Sequence, residues 1–328
     1  FQAEDGIRDI VARLVGSEMC IRDRGEIVMG LLGGLALFLF GMEQMTDGLK
    51  AVAGDGMRKL LATLTKNRVA GALTGAVVTA VIQSSSVTTV LVVGFVSAGL
   101  MSLTQSVGII MGANVGTTIT AQIVAFKVTK YALVLVFVGF VMLFAGKKDR
   151  VRQWGSMVMG LGLIFFGMGL MSDATSPLRD HEPFIDLMRR MDNPFLGILV
   201  AAAFTALVQS SSATTGIVIV LATQGFISLE AGIALAFGSN VGTCVTALLA
   251  TLGKPRSAMR AAAIHVVFNV AGVLGWLPFI DQLAVVVREI SPESLDLEGM
   301  DRLAADAPRQ IANAHTLFNV ISTVVLLP

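Results

Sequence analysis

The motif Gln-Ser-Ser-Ser occurs twice in this chain, at residues 83–86 and at residues 209–212. The two copies are 126 positions apart (209 − 83) and lie in strongly apolar surroundings. The same offset relates the threonines that follow them, because Thr88 and Thr89 recur as Thr214 and Thr215. Polar clusters repeated at one offset inside apolar segments predict a single binding site built from two halves.

A helix break at either motif would create the chemistry of an anion site. The helix beginning near Ser86 or Ser212 would present free backbone N–H groups and the positive end of its dipole, which attract an anion. Glutamine and serine oxygens suit a hard cation such as Na⁺. Neither motif contains Lys or Arg, so the charge of a bound anion would be neutralised by bound Na⁺ and by the helix ends, which predicts a strong Na⁺ dependence. Serine and threonine also occur as packing residues in membrane helices.

A second paired element follows each motif after the same interval. Gly-x-Asn-Val-Gly-Thr occupies residues 112–117 and 238–243. Its glycines would let a helix unwind, although glycines four residues apart are also typical of close helix packing. Oxygen ligands for a cation are available from its polar members, Asn114, Thr117, Asn240 and Thr243.

The composition places these motifs in a membrane. Hydrophobic residues make up 54% of the chain and charged residues 14%, with a mean hydropathy of +0.77, whereas soluble domains carry about 25% charged residues. A net charge of +1 gives no electrostatic case for nucleic acid. Two cysteines are too few for a disulfide framework, and three histidines without a Cys/His cluster argue against zinc. The sequence has no GxxxxGK[ST] loop, so ATP is not its direct energy source.

Apolar runs long enough to cross a bilayer predict an all-α polytopic membrane protein. They form a first transmembrane repeat at 27–146 and a second at 155–281. An extramembrane acidic loop at 282–309 and a last transmembrane helix at 310–328 are expected to follow. Residues 1–24 carry nine charges, and we interpret them as a non-native N-terminal extension, with a native amphipathic helix as the alternative.

The apolar stretches 69–99 and 195–224, each interrupted by a Gln-Ser-Ser-Ser motif, decide how the halves are related. Re-entrant hairpins would make the halves inverted, whereas full crossings would make them parallel. Lys and Arg counts, with the basic stretch 49–68 placed inside, do not separate the two models. The hairpin model alone keeps the basic loop 147–154 inside and places the acidic loops 174–194 and 282–309 outside. We therefore expect two inverted repeats, each with a re-entrant helical hairpin and a broken helix.

The paired motifs, each followed by Gly-x-Asn-Val-Gly-Thr, resemble the type II sodium/phosphate cotransporter family in its bacterial form, over residues 27–328. The resemblance implies a multi-pass protein of the bacterial inner (cytoplasmic) membrane that imports inorganic phosphate with Na⁺, uses no cofactor besides that ion and is not an enzyme. The implied substrate and ion site comprises Gln83, Ser84, Ser85, Ser86, Thr88, Thr89, Asn114, Thr117, Gln209, Ser210, Ser211, Ser212, Thr214, Thr215, Asn240 and Thr243. Within this set, the Na⁺ site would be shared among Gln83, Ser85, Asn114, Gln209, Ser211 and Asn240.

The resemblance also bears on partners. Besides phosphate, Na⁺ and the lipid bilayer, a second copy of the chain is a possible partner, as a homodimer. Many relatives continue into a cytoplasmic PhoU-like domain, which this sequence lacks, so a C-terminal truncation is expected.

Three alternatives belong to different functional classes. One is a Na⁺-coupled transporter of another small oxyanion or a carboxylate, and another is a phosphate-binding membrane sensor that does not transport. An intramembrane serine hydrolase is disfavoured because the serines form symmetric triplets without flanking glycines. In addition, neither His265 nor His315 has a counterpart in the first half.

A shorter pattern, Ala-x-x-His-x-x-Phe-Asn-Val, occurs at 262–270 and again at 312–320. Histidine and asparagine are costly inside a membrane and are often functional there. We interpret these residues as partners in hydrogen bonds between helices, with ligand contact as the alternative.

Overall fold

The computed structural model describes residues 2–53, 67–126 and 128–328, with side chains from residue 25 onward except that of Asp180. Most of the basic stretch 49–68 lies outside the described residues. The described part is all-helical, as predicted. Its α-helices are α1 (Gln2–Ala53), α2 (Arg68–Ile82), α3 (Ser85–Ser97), α4 (Leu103–Val124), α5 (Ala132–Ala145), α6 (Asp149–Thr175), α7 (Glu182–Arg189), α8 (Pro194–Val208), α9 (Ser211–Thr223), α10 (Leu229–Leu249), α11 (Arg256–Trp276), α12 (Ile280–Ile290) and α13 (Gly299–Leu326).

Five helical stretches in the described residues are long and apolar enough to cross a membrane: Gly25–Ala53, Leu103–Val124, Asp149–Arg179, Leu229–Leu249 and Arg256–Ile290. A sixth is a pair of helices, Glu182–Asp192 and Pro194–Val208, bent by 102° at its break. These stretches confirm the prediction of a polytopic membrane protein.

Helices α2 and α3 are too short to cross the bilayer singly. Their 15 and 13 residues correspond to about 20 Å each at 1.5 Å per residue, against a hydrocarbon core of about 30 Å. Helices α8 and α9 have the same two lengths. Each half of the chain therefore carries one pair of half-length helices around its Gln-Ser-Ser-Ser motif.

The chain reverses direction between α2 and α3, as helix α4 shows. A Cβ atom added to Gly108, Gly112 or Gly116 of α4 would clash with the carbonyl oxygen of Arg68, Ala72 or Ala76, respectively. These contacts advance together along the two helices, so α2 and α4 run parallel. Because α3 connects them, the chain returns along α3. Gly238 and Gly242 of α10 meet α8 at the equivalent carbonyls, those of Ile198 and Ala202.

The long helices α1 and α6 pack closely along a line of glycines. A Cβ atom on Gly34 would lie 2.7 Å from the Gly167 carbonyl oxygen, and one on Gly41 would lie 2.7 Å from that of Gly160. The order of these contacts makes the two helices antiparallel. Gly160 and Gly167 are the residues that follow Gly34 and Gly41 at the 126-residue offset. Equivalent positions of the two halves thus meet each other across this contact.

The structure departs from the expected loop at 282–309, much of which is helical. Leu283, Ala284 and Val287 of α12 are buried at helical spacing, and α13 begins at Gly299. An amphipathic helix that packs one apolar face is stable despite its acidic residues, so the acidic charge content did not predict the helices, and the place of the segment outside the membrane stays a prediction. Residues 310–326 are helical as part of the longer α13, which is not among the candidate membrane spans of the described residues, so the last membrane helix at 310–328 stays a prediction.

The expected unwinding at Gly-x-Asn-Val-Gly-Thr does not occur. Residues 112–117 lie inside the continuous helix α4, and residues 238–243 lie inside the continuous helix α10. Their glycines allow the close contacts with α2 and α8, so packing is their role. At the other end of the chain, α1 is continuous from Gln2, and the interpretation of residues 1–24 as non-native stays a prediction.

Candidate functional site

Helices α2 and α8 each end at a glutamine in the left-handed conformation. Gln83 has φ 59° and Gln209 has φ 58°, and no other non-glycine residue in the described part of the chain has a positive φ. This conformation costs an L-residue about 1–2 kcal/mol. Strain of this kind persists where the surrounding structure enforces it, often at functional sites. Both helices therefore break at the first residue of the motif, as the sequence indicated.

A pair of threonines closes each hairpin below its break. The Thr79 hydroxyl donates to the Thr88 hydroxyl oxygen at 2.8 Å, and the Thr205 and Thr214 hydroxyls are 2.7 Å apart. In a continuous helix, residues nine positions apart would be separated by about 13 Å. The two bonds thus hold the arms of each hairpin together and fix the position of its tip.

The second arm of each hairpin is a helix with a serine N-cap. The Ser84 hydroxyl caps α3 by accepting from the Val87 N–H at 3.3 Å. The Ser210 hydroxyl caps α9 by accepting from the Ala213 N–H at 3.2 Å. The positive ends of two helix dipoles are consequently placed at the two hairpin tips.

The two tips line one cavity of about 250 Å³. Its wall includes polar residues from both motifs, namely Gln83, Ser84, Ser86, Gln209, Ser210, Ser211 and Ser212. Since one water occupies about 30 Å³ of liquid, the cavity has room for a small hydrated oxyanion. The structure therefore brings together the two motifs, as the repeated sequence predicted.

The tips are also in direct contact. The Ser212 hydroxyl donates to the Gln83 main-chain oxygen at 3.4 Å. The Gln83 side chain is buried: its amide nitrogen donates to the Ala80 carbonyl, and its oxygen accepts from the Thr120 hydroxyl at 2.7 Å. Gln209, by contrast, is exposed. The two equivalent glutamines therefore differ in their surroundings.

Helix α1 adds charged residues to the cavity wall. Glu43, Asp47 and Lys50 all line it, and the Lys50 ammonium lies 3.3 Å from an Asp47 carboxylate oxygen. A lysine at the wall supplies a positive charge that neither motif contains. The carboxylates beside it supply oxygen atoms of the kind that cations bind.

Not every predicted site residue reaches this cavity. Asn114, Thr117, Asn240 and Thr243 are buried within α4 and α10 and are absent from its wall. Thr117 and Thr243 donate to carbonyls one turn earlier in their own helices, and Asn114 does the same. Asn240 contacts α13, where it donates to the Asn319 side-chain oxygen at 3.1 Å and its own oxygen lies 3.0 Å from His315 Nε2. The His315 contact confirms hydrogen bonding between helices for the second copy of the histidine motif.

The remaining predicted residues lie on the first turns of α3 and α9, outside the cavity wall. Ser85 is buried behind the tip, and Thr88 and Thr214 are occupied by the bonds across the hairpins. The hydroxyl oxygens of Thr89 and Thr215 are buried without a hydrogen-bond partner. The two equivalent positions thus carry the same unsatisfied oxygen atom.

Four residues with a part in the site were missed from the sequence: Lys50, Thr79, Thr120 and Thr205. Thr79 and Thr205 are related by the 126-residue offset, and so are Thr120 and Thr246. Extending the comparison of the halves to every threonine would have found these pairs. For Lys50 no such signal exists, because its counterpart in the second half is Ser176.

The chain is similar to known proteins over most of its length. The model of the Na⁺/Pi-cotransporter family matches residues 37–173 and 184–288. The uncharacterised protein YqeW of Bacillus subtilis is 32% identical over 92% of this chain and 94% of its own length. The putative inorganic phosphate export protein YjbB of Escherichia coli is 28% identical over 92% of this chain, which spans 53% of that relative.

Animal proteins are similar to a shorter part of the chain. The sodium-dependent phosphate transport protein 2B of Rattus norvegicus is 44% identical over 88 residues, which are 26% of this chain and 13% of that protein. No solved structure matches the chain significantly. The family match covers well over half of the chain and both hairpins, and its members are transporters that use Na⁺ without a further cofactor. The chain therefore belongs to the Na⁺/Pi-cotransporter family and is a membrane transport protein rather than an enzyme.

Proposed function

We propose that this protein imports inorganic phosphate together with Na⁺ across the bacterial inner membrane, and that the cavity between the hairpin tips binds the phosphate. The observation that carries the proposal is the meeting of both Gln-Ser-Ser-Ser motifs in one polar cavity. Serine hydroxyls donate to phosphate oxygens, and the two helix N-termini add favourable dipoles. The names of the relatives support phosphate as the transported anion.

The charges on α1 fit a substrate that enters with a counter-ion. Lys50 lines the cavity and attracts an anion, whereas Glu43 and Asp47 beside it favour a cation. A phosphate with one or more Na⁺ ions presents both signs of charge. A bare anion would leave the two carboxylates opposed to it, so the arrangement favours binding of phosphate and Na⁺ together.

We assign the Thr89 and Thr215 hydroxyls to Na⁺ coordination. A buried hydroxyl without a partner costs about 1–3 kcal/mol, and both of these oxygens lack one. Each lies one turn along its helix from the serines of its motif. A bound Na⁺ ion would satisfy the unpaired oxygen and couple ion binding to the shape of the tip.

Transport by this protein is proposed to follow from two inverted repeats that alternate in access to the cavity. Three features support the inversion: the reversal of each hairpin, the parallel packing of α2 with α4, and the antiparallel contact of α1 with α6. Because α1 and α6 are equivalent in sequence, their opposite directions imply that the halves are inverted. The homodimer expected from the resemblance stays a prediction.

The direction of transport has a second candidate, which is export. YjbB, which matches 92% of this chain, is named as a phosphate export protein. Import is favoured because an inward Na⁺ gradient drives a symported anion inward. Proteoliposomes with phosphate on both sides and Na⁺ on only one side distinguish import from export: net phosphate movement with the Na⁺ gradient in either orientation supports symport and therefore import, and phosphate that leaves against an inward Na⁺ gradient supports export.

Binding can be tested apart from transport. The purified protein in detergent should bind phosphate by calorimetry in Na⁺ but not in K⁺, and should bind sulfate or a dicarboxylate more weakly. Equal or tighter binding of sulfate or of the dicarboxylate would mean that this anion, rather than phosphate, is the substrate. Binding of phosphate without any uptake into vesicles would favour the sensor alternative over transport.

A further inference from the structure

Several buried polar atoms lack hydrogen-bond partners although an equivalent atom elsewhere in the chain is paired. In the described residues, these unpaired atoms include the Thr246 hydroxyl, Nε2 of His265 and the side-chain oxygen of Asn269. An unpaired buried polar group is unfavourable and calls for an explanation. Each of these residues has an equivalent that is bonded.

Thr246 of α10 is the counterpart of Thr120 of α4, at the 126-residue offset. The Thr120 hydroxyl donates to the Gln83 side chain at 2.7 Å. The corresponding acceptor for Thr246 is Gln209, which is exposed, and the Thr246 hydroxyl has no partner. The bond between threonine and glutamine is therefore made in the first half and absent in the second.

The histidine motifs show the opposite distribution. In α13, His315 Nε2 lies 3.0 Å from the Asn240 oxygen, and Asn319 accepts from the Asn240 amide. In α11, the same motif places His265 and Asn269 without these bonds. Within each helix the asparagine still donates to the histidine carbonyl, at 2.9 Å in α11 and 2.8 Å in α13.

Helices α11 and α13 occupy equivalent places around the two hairpins, although α11 lies within the second repeat in sequence. Helix α11 packs against α10, α3 and α4, while α13 packs against α4, α9 and α10, which is the same set with the halves exchanged. Gly272 lies against Ser322, and Trp276 lies against Phe318, so the two helices are antiparallel. This relation explains the repeated histidine motif. It also makes Asn114 of α4, the counterpart of Asn240, the partner that corresponds to His265.

We propose that Thr120, Thr246, His265 and His315 are positioning residues whose bonds exchange when access to the cavity changes sides. In the present conformation, Thr120 holds Gln83 and His315 holds Asn240. In the opposite conformation, Thr246 holds Gln209 and His265 holds Asn114, while the first two bonds open. The inference deepens the proposed transport function and rests on it.

The test compares two matched substitutions, Thr120→Val and Thr246→Val, which remove equivalent hydroxyls and keep the side-chain shape. The reporter is a cysteine at Thr46, in the cavity wall, in a full chain with Cys20→Ser and Cys244→Thr. Its rate of modification by a membrane-impermeant thiol reagent measures how often the cavity is open in the present sense.

Thr120→Val removes a bond of the present conformation, and Thr246→Val removes one of the opposite conformation. The expected labelling rate is therefore about three- to tenfold higher in Thr246→Val than in Thr120→Val, the effect of one interhelical hydrogen bond on a two-state equilibrium. The pair Asn269→Leu and Asn319→Leu should show the same difference in labelling rate, with the faster rate in Asn269→Leu. This second pair replaces the threonine pair if a threonine variant does not fold.

Equal rates within both pairs, or a faster rate in Thr120→Val, would overturn the inference. A purely structural role would lower the stability of either variant without separating their labelling rates. Labelling needs no phosphate uptake, so the two ideas fail separately. A wild-type protein that does not transport phosphate would contradict the proposed function only, and the difference in labelling rate between paired variants would still report the exchange of bonds.

Discussion

The Ser212 hydroxyl donates a hydrogen bond to the Gln83 main-chain oxygen at 3.4 Å, and this bond joins the tip of one hairpin to the tip of the other. Ser212 lies in the first turn of helix α9 of the second half, and Gln83 is the C-cap residue of helix α2 of the first. The candidate site is therefore shared between the halves, and a change in one tip alters the geometry of both.

Replacing Ser212 by alanine should weaken phosphate binding by about three- to tenfold, the usual effect of losing one hydrogen bond. Ser86→Ala, at the equivalent position, should have an effect of the same order because Ser86 also lines the cavity. Calorimetry of phosphate binding in Na⁺ provides the measurement. Ser322→Ala is the matched control, since the Ser322 hydroxyl is buried and unpaired and Ser322 is absent from the cavity wall. Unchanged binding in both cavity variants would exclude these serines from the site.

Lys50→Gln should lower the affinity for phosphate with little change in stability. Lys50 lies in the cavity wall, but its pair with Asp47 is solvent-exposed, and such pairs contribute at most about 1 kcal/mol. The control is Lys148→Gln, because Lys148 is exposed before α6 and outside the cavity wall. Phosphate titrations at two salt concentrations should show weaker binding and a smaller salt effect only for Lys50→Gln. Equal titrations for the two variants would show that Lys50 does not act on the anion.

The contact between α1 and α6 makes neighbouring glycines respond differently to alanine. A Cβ atom on Gly34 would lie 2.7 Å from a carbonyl oxygen of α6, whereas one on Gly33 would meet nothing within 4 Å. Gly34→Ala should destabilise the protein by about 1–3 kcal/mol through overpacking. Gly33→Ala should be neutral or stabilising, since alanine is the better helix former. Thermal unfolding in detergent compares the two, and a lower melting temperature for Gly33→Ala than for Gly34→Ala would contradict the packing.

The threonine pairs that close the hairpins should show direct coupling. A double-mutant cycle with Thr79→Val and Thr88→Val should give an interaction energy of about 0.5–1.5 kcal/mol in favour of the native pair. The cycle with Thr205→Val and Thr214→Val should give a similar value because the geometry repeats. Additive effects within either cycle would mean that the bond does not hold that hairpin together.

The sequence predicted the features that repeat. Two copies of Gln-Ser-Ser-Ser located the helix breaks to the motif, since a polar run inside an apolar helix is tolerated only where protein or water satisfies it; the second helices begin at Ser85 and Ser211, one residue before the expected Ser86 and Ser212. The N-cap serines before α4 and α10, Ser102 and Ser228, also keep the 126-residue offset. Repetition thus identified residues whose backbone geometry is the same in both halves.

The features that were missed depend on tertiary contacts. Glycines four residues apart serve unwinding or packing with the same sequence, and only the proximity of α2 and α8 shows that Gly112 and Gly238 serve packing. Asn114 and Asn240 were assigned to the ligands because their oxygens are suitable, but side-chain chemistry does not show which face of a buried helix they occupy. Lys50 lies in the wall because the packing of α1 places it there, and no motif marks it.

The central claim, that the paired motifs move phosphate with Na⁺, is tested most directly by radiolabelled phosphate uptake into proteoliposomes under an inward Na⁺ gradient. K⁺ replaces Na⁺ in the control vesicles, and Gln83→Ala and Ser210→Ala are assayed beside the wild type. The account predicts uptake with Na⁺ only, and its loss in both variants. Uptake that is equal in K⁺, or that survives both substitutions, would contradict it.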